Sequence, residues 1–140
     1  MKYSNATNYA LHTMVHLIRL PQNSTIGVQE LAGFQKLSPT YLSKILTKLT
    51  KAGLIESTPG AKGGYKISRS TNEISFLDVI TAIEGDTSLF NCSIHHNEGC
   101  LIEEVMKQSE ENMKEELRNR LLIDIVKKME EKNRRKENVN

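Results

Sequence analysis

The run Pro59-Gly60-Ala61-Lys62-Gly63-Gly64-Tyr65-Lys66 follows, after a short apolar stretch, a lysine-rich amphipathic pattern ending at Ala52, and this order constrains the chain most. Three glycines within five residues favour a tight reversal, because glycine reaches positive φ and lets backbones approach closely. Leu54-Ile55-Glu56-Ser57 before the run and Tyr65-Lys66-Ile67-Ser68 across its end read as two short strands. A helix followed by a glycine-tipped hairpin is therefore expected here. A nucleotide-phosphate loop is the rival for such a tip, but no Lys-Ser or Lys-Thr follows the glycines and no helix begins there.

The helix before the hairpin has clear ends. Ser38-Pro39 supplies an N-cap and a proline at the first helical position, and Gly53 stands where a C-terminal cap belongs. Leu42, Ile45, Leu46 and Leu49 fall on one face. The other face carries Thr40, Tyr41, Ser43, Lys44, Thr47, Lys48 and Lys51. Upstream, Tyr9, Ala10, Met14, Leu17 and Ile18 recur at helical spacing until Pro21, and Val28, Leu31, Ala32 and Phe34 mark a short helix ending near Lys36. Two helices joined by a short turn, then a hairpin, predict a winged helix-turn-helix.

Charge distribution gives that prediction a function. Residues 36–69 carry seven basic side chains against Glu56 alone, whereas residues 70–131 carry fourteen acidic and six basic ones. A basic segment of this density is a footprint for phosphate, and the acidic remainder repels a polyanion. Ser38, Thr40, Tyr41, Ser43, Lys44, Thr47, Lys48 and Lys51 on the helix, with Lys62, Gly63, Gly64, Tyr65 and Lys66 on the wing, are the expected contacts to double-stranded DNA. The N-terminal members are placed nearest the bases, Lys48 and Lys51 on the backbone, and Lys62 and Lys66 on phosphate or in the minor groove.

Beyond the hairpin, Ser75 starts a helix with Phe76, Val79, Ile80 and Ile83 on one face and Gly85 after its end. A polar loop at 86–99 contains Cys92, His95 and His96. From Cys100, Leu101, Val105, Met113, Leu117, Leu121 and Ile125 form one stripe, with Glu110, Glu111, Glu115 and Glu116 expected in solvent. One long helix is expected, and pairing with its copy in a second subunit would bury the stripe and present two reading heads to a two-fold operator. The division is a winged-helix DNA-binding domain over 1–85, a sensory loop over 86–99, a dimerisation helix over 100–130 and a disordered tail over 131–140. The fold class is mostly α with a small β-hairpin wing.

Several motifs together resemble the Rrf family of bacterial winged helix-turn-helix regulators, which includes the IscR, NsrR and CymR types. They are Tyr9-Ala10-Leu11, Leu42-Ser43-Lys44-Ile45-Leu46, Lys51-Ala52-Gly53-Leu54-Ile55, Gly60-Ala61-Lys62-Gly63-Gly64-Tyr65, Ile74 to Ile80 with Glu84-Gly85, and Cys92 with Cys100-Leu101. The resemblance runs from about residue 1 to 128. It implies a dimeric transcriptional regulator, a repressor by family habit, answering a redox, nitric oxide or iron–sulfur signal. Cluster-binding members carry three cysteines in the loop; here Cys92 and Cys100 match the first and last, and the middle one is missing. His95 or His96 could complete an iron–sulfur site, since imidazole replaces thiolate in some two-iron centres. The first helix offers Asn8, a poor iron ligand, and His12. Inert thiols, a redox pair and cluster ligands remain open readings of the two cysteines.

Other classes are less well supported. No apolar run approaches the roughly 20 residues that cross a bilayer, and the first residues lack a signal-type stretch, so a cytoplasmic protein is expected. No base and nucleophile pair, metal-ligand set or cofactor fingerprint suggests an enzyme. His12 and His16 stand one helical turn apart, without a carboxylate or thiol in the same helix to complete a metal site. A winged-helix module that docks protein rather than DNA, with its lysines only solubilising it, is the alternative function.

Overall fold

A computed structural model describes residues 2–86, 88–94 and 99–139, the side chain of Val139 excepted. Six helices and one hairpin follow in the order α1 (Asn5–Ile18), α2 (Val28–Gln35), α3 (Pro39–Lys51), β1 (Ile55–Thr58), β2 (Gly64–Ile67), α4 (Phe76–Glu84), α5 (Leu101–Arg118) and α6 (Leu122–Val139). A 3-10 turn at Thr71–Glu73 leads from the hairpin into α4.

The local signals act as their chemistry requires. Ser38 accepts the Tyr41 N–H at 3.1 Å at the start of α3. Gly53 takes φ 75° just beyond that helix and its N–H bonds the Thr50 carbonyl. Ser75 and Asp78 form a reciprocal capping box on α4. Between α2 and α3 the chain turns at Lys36, a left-handed residue at φ 56°, and the Leu37 N–H closes on the Ala32 carbonyl at 2.9 Å. This is the turn of the helix-turn-helix.

α1 runs through the centre of the molecule. Its buried residues Ala10, Met14 and Leu17 join Leu31 of α2, Leu42, Leu46 and Leu49 of α3, and Val79 and Ile83 of α4 in one apolar cluster. At about 25 cal/mol per Å² of apolar surface, burial of each large aliphatic side chain contributes about 1.5–3 kcal/mol, which makes this cluster the main support of the fold. Leu122 of α6 belongs to it as well, so the C-terminal segment is built into the same core as the winged helix.

The hairpin pairs Ile55 with Ile67, Glu56 with Lys66, Ser57 with Tyr65 and Thr58 with Gly64. Ile26 adds to the free edge of β2 by exchanging two hydrogen bonds with Tyr65, at 3.1 and 2.8 Å. The wing is thereby fixed to the segment that precedes α2.

Two expectations need correction. The single helix expected from Cys100 to about 130 is two helices, separated at Asn119–Leu121. There the backbone turns to bond the start of α4: the Phe76 N–H donates to Arg120 O at 2.9 Å and the Leu122 N–H to Ile74 O at 3.0 Å. The apolar stripe consequently splits, with Leu101 and Val105 outward on α5 while Leu122 and Val126 of α6 are buried, the former in the core cluster. Periodicity alone joined two stripes that serve different surfaces. The segment 131–139, expected to be a disordered tail, continues α6, and Arg135 bridges Glu131 one turn back at 2.7 Å.

Candidate nucleic-acid interface

α3 buries Leu42, Ile45, Leu46 and Leu49 and turns its other face outward. On that face Thr40, Tyr41, Lys44, Thr47, Lys48 and Lys51 are exposed, Ser38 stands exposed at its start, and Ser43 is half-buried. Thr47 spends its hydroxyl proton on the Ser43 carbonyl at 2.8 Å, leaving its oxygen to accept from outside. Tyr41 meets Tyr9 of α1 edge to face, with ring centroids 5.9 Å apart, which fixes the direction of its ring at the head of α3. Among the described residues Lys44, Lys48 and Lys51 form no salt bridge. Three ammonium groups on one helix face, none in a salt bridge among the described residues, make a positive field that a polyanion can neutralise.

The wing residues divide into two groups. Lys62 is exposed at the tip and free of salt bridges among the described residues. Lys66 lies 3.3 Å from Glu56 across the strands, so part of its charge is already answered within the wing. Gly63, Gly64 and Tyr65 are half-buried. A Cβ on Gly63 would sit 1.9 Å from the Thr58 carbonyl oxygen, and one on Gly64 2.6 Å from that of Ile26. The N–H groups of Gly63 and Tyr65 are taken by the carbonyls of Gly60 and Ile26. These glycines thus build the wing; the amides at 63 and 65 are not left to cradle phosphate.

Two basic residues escaped the sequence reading as individuals. Lys36 stands exposed in the turn just before α3. Arg69 donates to the Ala52 carbonyl at the C-terminal end of α3 at 3.1 Å and lies 3.9 Å from Asp78, tying α3, the wing exit and α4 together. Its place just after the α2 period, at the start of the basic segment 36–69, was the available signal for Lys36. No local pattern announces the long-range partners of Arg69.

The loop after α4 is held along α5. Both carboxylate oxygens of Glu110 accept the Leu89 N–H at 3.1 Å, and Lys114 lies 3.6 Å from the same group. Glu110 is buried, contrary to its expected place in solvent, because a backbone N–H and an ammonium supply what water would. Cys92 donates its N–H to Glu103 Oε2 at 3.0 Å, and Cys100 stands at the N-cap position of α5, its side chain making no capping hydrogen bond. The Lys107 ammonium, 2.6 Å away, together with the Cys92 N–H holds the Glu103 carboxyl below the usual carboxylate range. Both half-buried cysteines are therefore attached to the first turn of α5. His95 and His96 lie outside the described residues. Among the described residues no group of three His, Cys, Asp or Glu side chains stands close enough to hold a metal ion.

Near the N-terminus of α5, Leu101, Ile102 and Val105 are 78, 68 and 65 % exposed. This is a large apolar strip for a surface helix. No described helix is long and apolar enough to cross a membrane.

The family model Rrf2, described as iron-dependent transcriptional regulator, matches residues 3–128. YffB of Lactococcus lactis, assigned by name to the HTH-type transcriptional regulators, is 41% identical over 90 residues, which span 64% of this chain and 58% of that protein. The solved structure of CymR from Bacillus subtilis, titled the global cysteine regulator, superposes with a TM-score of 0.77 at 27% identity over 91% of this chain and 97% of that one. IscR from T. potens superposes with a TM-score of 0.76, also at 27% identity, over 94% of this chain and 90% of that one. These relatives are transcription regulators rather than enzymes.

Proposed function

The chain belongs to the Rrf2 family of transcriptional regulators, and from that premise we propose that it acts as a cytoplasmic homodimer that binds a two-fold symmetric promoter element and represses transcription. The observation that carries the DNA reading is the outward face of α3, where Lys44, Lys48 and Lys51 are free of salt bridges among the described residues, with Lys62 equally free on the wing. In this reading the N-terminal half of α3, with Ser38, Thr40, Tyr41, Ser43, Lys44 and Thr47, enters the major groove. Lys48 and Lys51 hold phosphates, and Lys62 holds the backbone or minor groove beside the wing. Lys66 contributes once DNA phosphate competes for it against Glu56. Gly63, Gly64 and Tyr65 act by shaping the wing.

The dimer is proposed through the exposed strip of α5. Leaving Leu101, Ile102 and Val105 in water is unfavourable, and an isologous contact with a second α5 removes all three from solvent twice over. Sensing is proposed at Cys92 and Cys100. Oxidation of the two thiols to a disulfide, with two electrons and two protons passing to a peroxide, would join the loop to the N-terminus of α5 covalently. Operator affinity then changes only so far as the disulfide favours one relative placement of the two heads.

The experiment is operator binding by reduced and peroxide-treated protein, set beside Cys92→Ser and Cys100→Ser variants. Different affinities for reduced and oxidised wild type, with both variants unresponsive, support the sensory reading. Identical responses in all proteins contradict it, while salt-dependent, sequence-selective binding independently supports DNA recognition over a protein-docking module.

A further inference from the structure

A short chain of contacts links α2, α1 and the head of α3. Gln35, the last residue of α2, donates its side-chain amide to the Thr13 hydroxyl oxygen at 2.7 Å, and that hydroxyl donates in turn to the Tyr9 carbonyl at 2.7 Å. Thr13 is wholly buried, where a hydroxyl that both donates and accepts is costly to unpair. The backbone of α1 at Tyr9 is thereby registered against the end of α2, just before the turn into α3. Tyr9 packs on the core cluster, and its ring meets that of Tyr41 with 89° between planes and centroids 5.9 Å apart. Edge-to-face pairing of this kind is a favoured geometry for two aromatic rings.

Tyr41 is held from two sides. Its N–H is taken by the Ser38 hydroxyl oxygen, which fixes its backbone in the first turn of α3. Tyr9 fixes its ring, yet 38 % of the residue stays exposed. The Tyr41 hydroxyl has no hydrogen-bond partner among the described residues, so a group able to donate and to accept is left unspent at the head of the helix. An exposed tyrosine that swings freely loses rotamer freedom when it binds, whereas one ordered beforehand does not.

We propose that Tyr9 is a positioning residue for operator recognition: it holds Tyr41 ready for contact with a base edge, so that α1 contributes to sequence discrimination without itself reading DNA. The inference rests on the reading of α3 as the major-groove helix. A tyrosine hydroxyl bonds donors or acceptors on a base edge, and its ring can lie against a thymine methyl. Neither contact carries charge. Loss of order at Tyr41 therefore lowers affinity for the operator and leaves the phosphate-driven, sequence-independent part of binding as it was.

The test uses the full chain with two probes: the duplex that wild-type protein selects from a random-sequence pool, and a scrambled duplex of the same composition. Tyr9→Leu keeps apolar bulk and removes the ring. It should weaken binding to the selected duplex by about 3- to 10-fold, with affinity for the scrambled duplex and the salt slope unchanged. Tyr9→Phe keeps the ring and should bind like wild type. In a Tyr41→Ala background Tyr9→Leu should add less than about 2-fold, because the residue it positions is gone. Far-UV circular dichroism verifies folding, and Tyr9→Met takes the place of Tyr9→Leu if the latter loses helix. Full discrimination in Tyr9→Leu, equal weakening on both duplexes, or additive losses in the double variant overturns the positioning role while leaving DNA recognition intact. A wild-type protein that selects no sequence from the pool would instead sink the DNA reading, and this inference with it.

Discussion

The carboxylate of Glu84, the last residue of α4, accepts the hydroxyl of Thr7 in the first turn of α1 at 2.6 Å. The same oxygen receives the Ser4 N–H and the Ser4 hydroxyl, each at 2.8 Å. One side chain thus joins the start of the central helix to the end of α4, at the point where the 86–99 loop begins. An anion beside the N-terminal N–H groups of α1 is also favourably placed for the helix dipole.

Those bonds, with Thr7 foremost and Ser4 next, hold the Glu84 carboxyl below the usual carboxylate range. A folded-state pKa below the unfolded one gives stability that is present above the unfolded value of about 4.5 and is lost as pH falls through the folded one. Glu84→Ala should cost about 1–2 kcal/mol in urea unfolding at pH 7. The gap from wild type should narrow as pH falls below about 4.5; a gap that is constant with pH would assign the loss to packing alone.

The wing glycines should respond unlike the glycine of α2. Gly64→Ala puts a Cβ 2.6 Å from a backbone oxygen at φ 149° and should cost at least about 2 kcal/mol while loosening the wing. Gly33 lies inside α2 with nothing within 4 Å of a new Cβ, so Gly33→Ala should stabilise by about 0.5–1 kcal/mol. Thermal unfolding of the two variants checks both signs.

Glu110 fastens the loop through the Leu89 N–H. Glu110→Ala leaves that donor to solvent, so exchange of the Leu89 amide should accelerate by about 10-fold or more, while amides in the core of α3 keep wild-type protection. Equal acceleration in both places would show global destabilisation rather than release of the loop.

Val105→Glu places a charge in the exposed strip of α5. If two such strips form the dimer, sedimentation should show mass falling toward that of one chain, with the helical circular dichroism of the fold kept. A dimer of unchanged stability would place the interface elsewhere.

The winged helix was legible because its signals are local: Ser38-Pro39, Gly53, the α3 periodicity and the glycine tip each specify a short piece of chain that tertiary packing then reinforces. The 119–121 break was not, since Arg118-Asn119-Arg120 contains no proline or glycine and the turn is made by backbone bonds to Ile74 and Phe76 far away in sequence. Glu110 is expected in solvent for the same reason: its partner, Leu89, is distant in sequence. For the candidate site, residue type and periodicity placed the α3 lysines outward, but composition could not tell Lys62, which lacks a salt bridge among the described residues, from Lys66, which has Glu56.

The central claim is tested most directly by the salt dependence of binding to a promoter fragment, compared between wild type, Lys48→Gln and Lys62→Gln. The account predicts tighter binding to the promoter than to unrelated DNA, with log affinity falling linearly in log salt, and a slope shallower by about one for each lysine removed. Binding that ignores salt, or slopes unchanged in both variants, would contradict the assignment of α3 and the wing as the DNA-contacting surface.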